Sequence, residues 1–220
     1  MTDSNNYAYF LLGSQWYKMG SLTLKHVSVG PAGIWGVALD DRVYKYVAGS
    51  FVFANGELYH RLKTQVDAGG DGQVVGVTDT STIHCLKSTI ASDYRKQSTL
   101  SWTTITGGLM YVSCSSKYGC WGVNSVQNIY FAKITPSTCG ISGTTLVDGL
   151  AVKVETGTDG SVFVVTKDGE VFQSLTGSRP LVFFYYKSHY GRCTMQQHLL
   201  LYSRVAAPIF HLSSNRSASH

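Results

Sequence analysis

LKHVSVGPAGIWGVALDDRVYKY, residues 24 to 46, carries the reading of the fold. It contains an apolar strand, a Gly-rich turn, the apolar run Ile34-Trp35-Gly36-Val37, a polar turn at Asp40-Asp41, and a short strand with aromatics. Three later segments align with it: LKTQVDAGGDGQVVGVTDTSTIHCL (62 to 86), LMYVSCSSKYGCWGVNSVQNIYFA (109 to 132) and LAVKVETGTDGSVFVVTKDGEVFQS (150 to 174). Trp35, Val75, Trp121 and Phe163 stand 40, 46 and 42 residues apart, and Val43, Ile83, Ile129 and Val171 repeat those intervals. Two landmarks with one spacing establish an internal repeat.

Ahead of each block lies one more short run suited to a strand: QWYKM, SFVFA, SWTTI and TTLVD. Four short antiparallel strands in about 42 residues make a sheet that cannot bury both faces alone but can stack on its neighbours around an axis. The expected fold is therefore all-β, a β-propeller of four-stranded blades. The blades are expected at about 15–46, 50–86, 101–132 and 143–174, within a domain spanning 1–180. Asp-Gly in GGDGQ, TDGS and KDGE supplies the positive φ that tight hairpins require. No window sustains apolar spacing at i, i+3, i+4 and i+7, so helices have little support. The Ser/Thr-rich connections from Lys87 to Leu100 and from Lys133 to Thr145 read as exposed loops between blades.

Composition agrees and excludes other classes. Charged residues are 14% of 220, Gly numbers 23, and 44% are hydrophobic, which suits a turn-rich β protein and excludes disorder. The longest apolar run, Leu181 to Tyr186, is six residues, far short of the ~18 a membrane helix needs. The net charge of +5 is dispersed without a basic cluster, so nucleic acid is not an expected partner. GxSxG, HExxH, a phosphate loop and a DxDxDG calcium loop are all missing, so no enzyme activity and no cofactor is expected, and calcium has no supporting motif. Five Cys leave one unpaired. Cys114 and Cys120 flank SSKYG at a hairpin tip, where facing Cβ atoms come within disulfide reach; zinc is the competing reading, with no CxxC or HxxxH to accompany it.

LKHVSVGPAGIWGV, VDAGGDGQVVGV, YVSCSSKYGCWGVNSVQNIYF and TGTDGSVF resemble tectonin repeats, the unit of a family of β-propeller lectins, from about Tyr7 to Arg179. The resemblance implies a secreted, disulfide-containing protein that binds N-acetylglucosamine-type or microbial surface glycans, such as bacterial polysaccharide or lipopolysaccharide, in innate defence. Homo-oligomers are also expected. Cys85 and Cys139, on or after the last strands of successive blades, are a second expected pair, with Cys193 left over. Members have six blades and a signal peptide. Tyr7 to Phe10 therefore reads as the outermost strand of a preceding blade, with the N-terminus cut short. Residues 181–220 read as a divergent tail or a degenerate fifth blade with LLLYS and PIFHL as strands. The N-terminus has no signal-peptide pattern, which would leave the chain cytosolic if genuine. The alternatives to a working lectin are a protein-interaction propeller and a truncated, inactive isoform.

A sugar site needs an aromatic platform beside short polar groups. Trp35 and Trp121 are candidates for the platform, against the reading that each wedges between blades, as Val75 and Phe163 at the same position suggest. Tyr44 and Tyr130, with His84 and Phe172 at equivalent positions, can both stack and hydrogen-bond. Asn124 and Ser125 offer hydroxyl recognition or a turn. Asp67 is a carboxylate in an apolar strand, aligned with Ser28, Ser113 and Thr156, and serves either a sugar or a structural hydrogen bond. Asn215-Arg216-Ser217 is a glycosylation sequon.

Overall fold

A computed structural model of the chain describes residues 1–54, 65–95, 99–174 and the backbone of 183–185. Four antiparallel sheets are arranged as a four-bladed β-propeller. The first holds β1 (Tyr7–Leu12), β2 (Gln15–Gly30), β3 (Gly33–Ala38), β4 (Val43–Val47) and β5 (Ser50–Phe53). β6 (Gln65–Asp67), β7 (Val74–Val77), β8 (Thr82–Leu86) and β9 (Thr103–Gly108) form the second, with the short helix α1 (Ser88–Asp93) between β8 and β9. The third is β10 (Tyr111–Ser115), β11 (Gly119–Val123), β12 (Asn128–Ile134) and β13 (Ile141–Leu150). β14 (Lys153–Thr156), β15 (Val162–Val165), β16 (Val171–Ser174) and β17 (Phe183–Tyr185) complete the fourth. Among the described residues no helix is long and apolar enough to cross a membrane.

The four strands per repeat are present, but their phase differs from the expected one. SFVFA, SWTTI and TTLVD close the preceding blade as β5, β9 and β13 instead of opening the next. The cause is local. Val47 and Ser50 pair across Ala48 and Gly49, both at positive φ, and a two-residue hairpin leaves the returning strand no partner but β4. The connections around 87–100 and 133–145 therefore lie within blades 2 and 3, and part of the first is helical. The same phase brings Phe183–Tyr185 onto β16. LLLYS, PIFHL, Cys193 and the sequon lie outside the described residues.

β1 does not stand apart from blade 1. It pairs with the first half of β2, Phe10 opposite Tyr17 and Leu12 opposite Gln15, and β2 runs on to become the innermost strand of blade 1. Ala8 and Met19 pack with Leu24 and Ala38 on the blade's outward face.

Among the described residues each of the three interfaces between successive blades has its own core, because period-two alternation sends one set of side chains to each neighbour. Trp35, Val37 and Val43 meet Val66, Val74 and Leu86; Val75, Val77 and Ile83 meet Val112 and Cys114; Trp121, Val123 and Ile129 meet Val154, Val162 and Val164. Each such aliphatic side chain stabilises by about 1.5–3 kcal/mol when fully buried. The Gly of the Trp-Gly-Val doublets has a steric reason: a Cβ on Gly122 would lie 2.4 Å from Leu109 Cδ1, and one on Gly36 would lie 2.8 Å from Leu24 Cδ1. Both expected disulfides form. Cys114–Cys120 bridges facing positions of the β10–β11 hairpin with Cα atoms 4.0 Å apart, which consumes the thiolates that zinc would need. Cys85–Cys139, with Cα atoms 5.9 Å apart, ties β8 of blade 2 to the β12–β13 loop of blade 3.

Candidate functional site

Trp35 and Trp121 offer no platform. Trp35 is 0% exposed, donates its indole N–H to the Ala32 carbonyl at 2.9 Å and packs near Tyr94. Trp121 is 4% exposed and lies against Phe131. A pyranose stacks on a free ring face, and the blade interfaces cover both indoles.

The equivalence of Tyr44, His84, Tyr130 and Phe172 holds in the strand pairing, since they oppose Gly36, Gly76, Gly122 and Val164 in turn. Their surroundings differ. Tyr44 is half-buried and packs on Phe53 and the N-terminal hairpin's cluster, while His84 is buried and bonded through Nδ1 to Thr104. Tyr130 is half-buried and its hydroxyl accepts from Asn124 Nδ2 at 3.4 Å. Asn124 Oδ1 accepts from Val126 N at 3.2 Å and Asn128 N at 2.8 Å, so this side chain shapes the turn while its amide points at Tyr130. Ser125 is exposed beside them. Asn124 and Tyr130 are the only two predicted binding residues that meet each other among the described contacts.

Asp67 belongs to a different arrangement. The innermost strands of the four blades line the propeller axis, and cross-strand pairing sorts their polar residues into two tiers. His26, Gln65, Tyr111 and Lys153 lie opposite Val37, Val77, Val123 and Val165. Ser28, Asp67, Ser113 and Glu155 lie opposite Trp35, Val75, Trp121 and Phe163. Glu155, not Thr156, is thus the equivalent of Asp67, because pairing rather than turn length sets the alignment. In the second tier three of the four side chains accept a backbone N–H of the next blade: Ser28 Oγ from Ala68 at 2.9 Å, Asp67 Oδ1 from Cys114 at 3.0 Å, and Ser113 Oγ from Thr156 at 3.1 Å. The serines also donate onward, Ser28 to Asp67 at 3.3 Å and Ser113 to Glu155 at 3.4 Å. In the first tier Gln65 clamps Val112 through both its N–H and its carbonyl, and Tyr111 donates to Glu155 and meets His26 Nε2 at 3.4 Å.

The acids are uncomfortable there. Burial, followed by repulsion from Glu155, pushes Asp67 up to about 7 despite the N–H groups of Gly69 and Cys114. Burial raises Glu155 as well, with Tyr111 and Ser113 opposing it. His26 is pulled down to about 4, by burial and then by Lys153. These groups bond one blade to the next, and Asp67 is 6% exposed.

Sequence reasoning did not single out Lys45 and Arg95, which border a cavity of about 360 Å³ at the outer junction of blades 1 and 2. Ala32, Gly33, Tyr46 and Ser92 also line it. The available signal was Lys45 itself, a charge at an inward position of the alternating strand VYKYV.

The family described as Tectonin domain matches residues 1–182. Fish-egg lectin of Cyprinus carpio is 39% identical over 120 residues, which cover 53% of this chain and 50% of that protein. Human WBSCR16 superposes with a TM-score of 0.50 at 14% identity, covering 73% of this chain and 50% of that one. Prp20p of Saccharomyces cerevisiae gives 0.50 at 8% identity, with 80% and 54% covered. At such identities the two structures share the fold alone. The chain spans about half the length of each of these relatives.

Proposed function

The chain belongs to the tectonin domain family, and from that membership we propose that it is a lectin, a carbohydrate-binding protein with no catalytic role. The observation that carries this reading is its 39% identity to the carp protein named fish-egg lectin. Two disulfides support an extracellular setting, since such bonds persist where the environment oxidises thiols. We take N-acetylglucosamine-type units on microbial surfaces as the ligand class, in a defensive role. Sites of this kind are individually weak, and repetition around one propeller raises avidity by about 10²–10⁴ where several engage one surface. Tyr130 with Asn124 is the predicted pair that retains both a partly open ring and an amide beside it.

Titration of the full chain with N-acetylglucosamine oligomers is expected to show saturable binding, weakened about tenfold by Tyr130→Ala, about 1.4 kcal/mol, the scale of one lost stacking contact. Absence of binding to every saccharide on a glycan array at high protein density would overturn the lectin reading.

A further inference from the structure

The connection between the third and fourth strands of a blade is fastened to the blade before it, and the fastening differs between interfaces. Between blades 2 and 3 it is covalent, Cys85 of β8 to Cys139 of the β12–β13 loop. Lys45 occupies the position of Cys85: it opposes Trp35 as Cys85 opposes Val75 and Phe131 opposes Trp121. It reaches the equivalent connection of blade 2, and its ammonium donates to the carbonyls of Ala91 at 2.6 Å, Ser92 at 3.1 Å and Tyr94 at 3.4 Å. The Trp35 ring lies 5.6 Å from Nζ.

A disulfide adds no charge, whereas this ammonium brings one to a residue only 5% exposed. Carbonyl dipoles and an indole face solvate a cation without cancelling it. Arg95 adds a second positive charge at the same place. Its Nη1 donates to Ser92 O at 2.7 Å and Tyr94 O at 3.1 Å, two of the carbonyls that Lys45 uses, while the residue itself is exposed. Burial lowers the pKa of Lys45, the neighbouring Arg95 lowers it further, and Asp93 acts in the opposite direction. Asp93 is exposed and accepts from Ser92 Oγ at 3.2 Å. Two cations therefore lie with one carboxylate nearby, beside an open concavity of about 360 Å³. The two cations give the concavity a surplus of positive potential. The Ala32-Gly33 turn supplies a less polar wall.

We propose that this cavity is a subsite for the anionic group of an acidic saccharide, a carboxylate or phosphate carried on the sugar. Arg95 is the direct donor and Lys45 sets the field. The proposal rests on the lectin reading and adds a charge preference to it.

The test is calorimetric titration of the full chain with glucuronic acid, N-acetylglucosamine 6-phosphate, neutral N-acetylglucosamine and inorganic phosphate. The acidic sugars are expected to bind about tenfold more tightly than the neutral one at about 20 mM salt, the scale of one charge-assisted hydrogen bond, with the preference shrinking at about 0.5 M. Arg95→Ala, its fold checked by thermal unfolding, should bring the acidic-to-neutral ratio to about one, and Arg95→Lys should keep part of the preference. Equal binding of acidic and neutral sugars overturns the proposal and leaves the lectin reading standing. Inorganic phosphate bound as tightly as the sugar phosphate overturns the saccharide assignment, because the sugar then contributes nothing. Binding of no saccharide at all removes both.

Discussion

A carboxyl group placed between two blades titrates where neither blade alone would make it. Asp67 is raised to about 7 in the folded chain from an ordinary 3.8, so between those values the native state holds a proton that the unfolded state has lost. Its contribution to stability therefore falls as pH rises through that window, by up to about 1.4 kcal/mol per pH unit. His26 acts the other way, from 6.5 down to about 4, and withdraws stability as pH falls through its window. Burial raises Glu155 in the same direction as Asp67. Asp67→Asn keeps an oxygen for the N–H groups of Gly69 and Cys114 and removes the titration. Thermal unfolding from pH 5 to 8 should show the variant gaining on the wild type as pH rises, and parallel curves would contradict the assignment. Of these residues the sequence displayed Asp67 as a polar residue in an apolar strand, which was enough to pose the choice between sugar and structure. It did not display Glu155, because neighbouring Glu and Thr both fit the alignment and only cross-strand pairing separates them. For Trp35 and Trp121 the residue type was legible, but whether an indole is open or covered depends on the next blade.

At the scale of the element, the repeat and its four strands were legible because both landmarks recur at one set of intervals. The phase was not. Apolar runs repeating around a ring have no first member, and the order is broken only by which turn is tightest. Ala48-Gly49 decides it for β4 and β5. The helix α1 was hidden for a related reason: six residues, with only Ala91 buried, are too few to show a period. The β10–β11 strand pair makes a sharper prediction. Leu109 occupies the space above Gly122, so Gly122→Ala should cost about 1–3 kcal/mol by overpacking. Adding Leu109→Ala should cost less than the two single changes together, since the clash is gone. Denaturant unfolding of the four variants measures that coupling, and strict additivity would mean that the contact is not the reason for the glycine.

Across the whole molecule, blades are joined by different means, and the differences predict which joints matter most. Cys85–Cys139 closes 54 residues and crosses an interface, whereas Cys114–Cys120 closes six within one hairpin. By the chain-entropy account, replacing the first pair with Ser should cost about 4 kcal/mol and the second about 2. Equal losses in denaturant midpoints converted to free energy would show that loop length is not what these bonds act on. The axis carries a further consequence. Its second tier alternates donor and acid, Ser28 to Asp67 and Ser113 to Glu155, and each partner is supplied by the following blade. Such a chain has a parity. Excising β6–β9 would set serine against serine, and excising β10–β13 would set one buried carboxyl against another, whereas removing or copying two adjacent blades together preserves the alternation. The unit whose duplication keeps each serine facing an acid is the pair of blades.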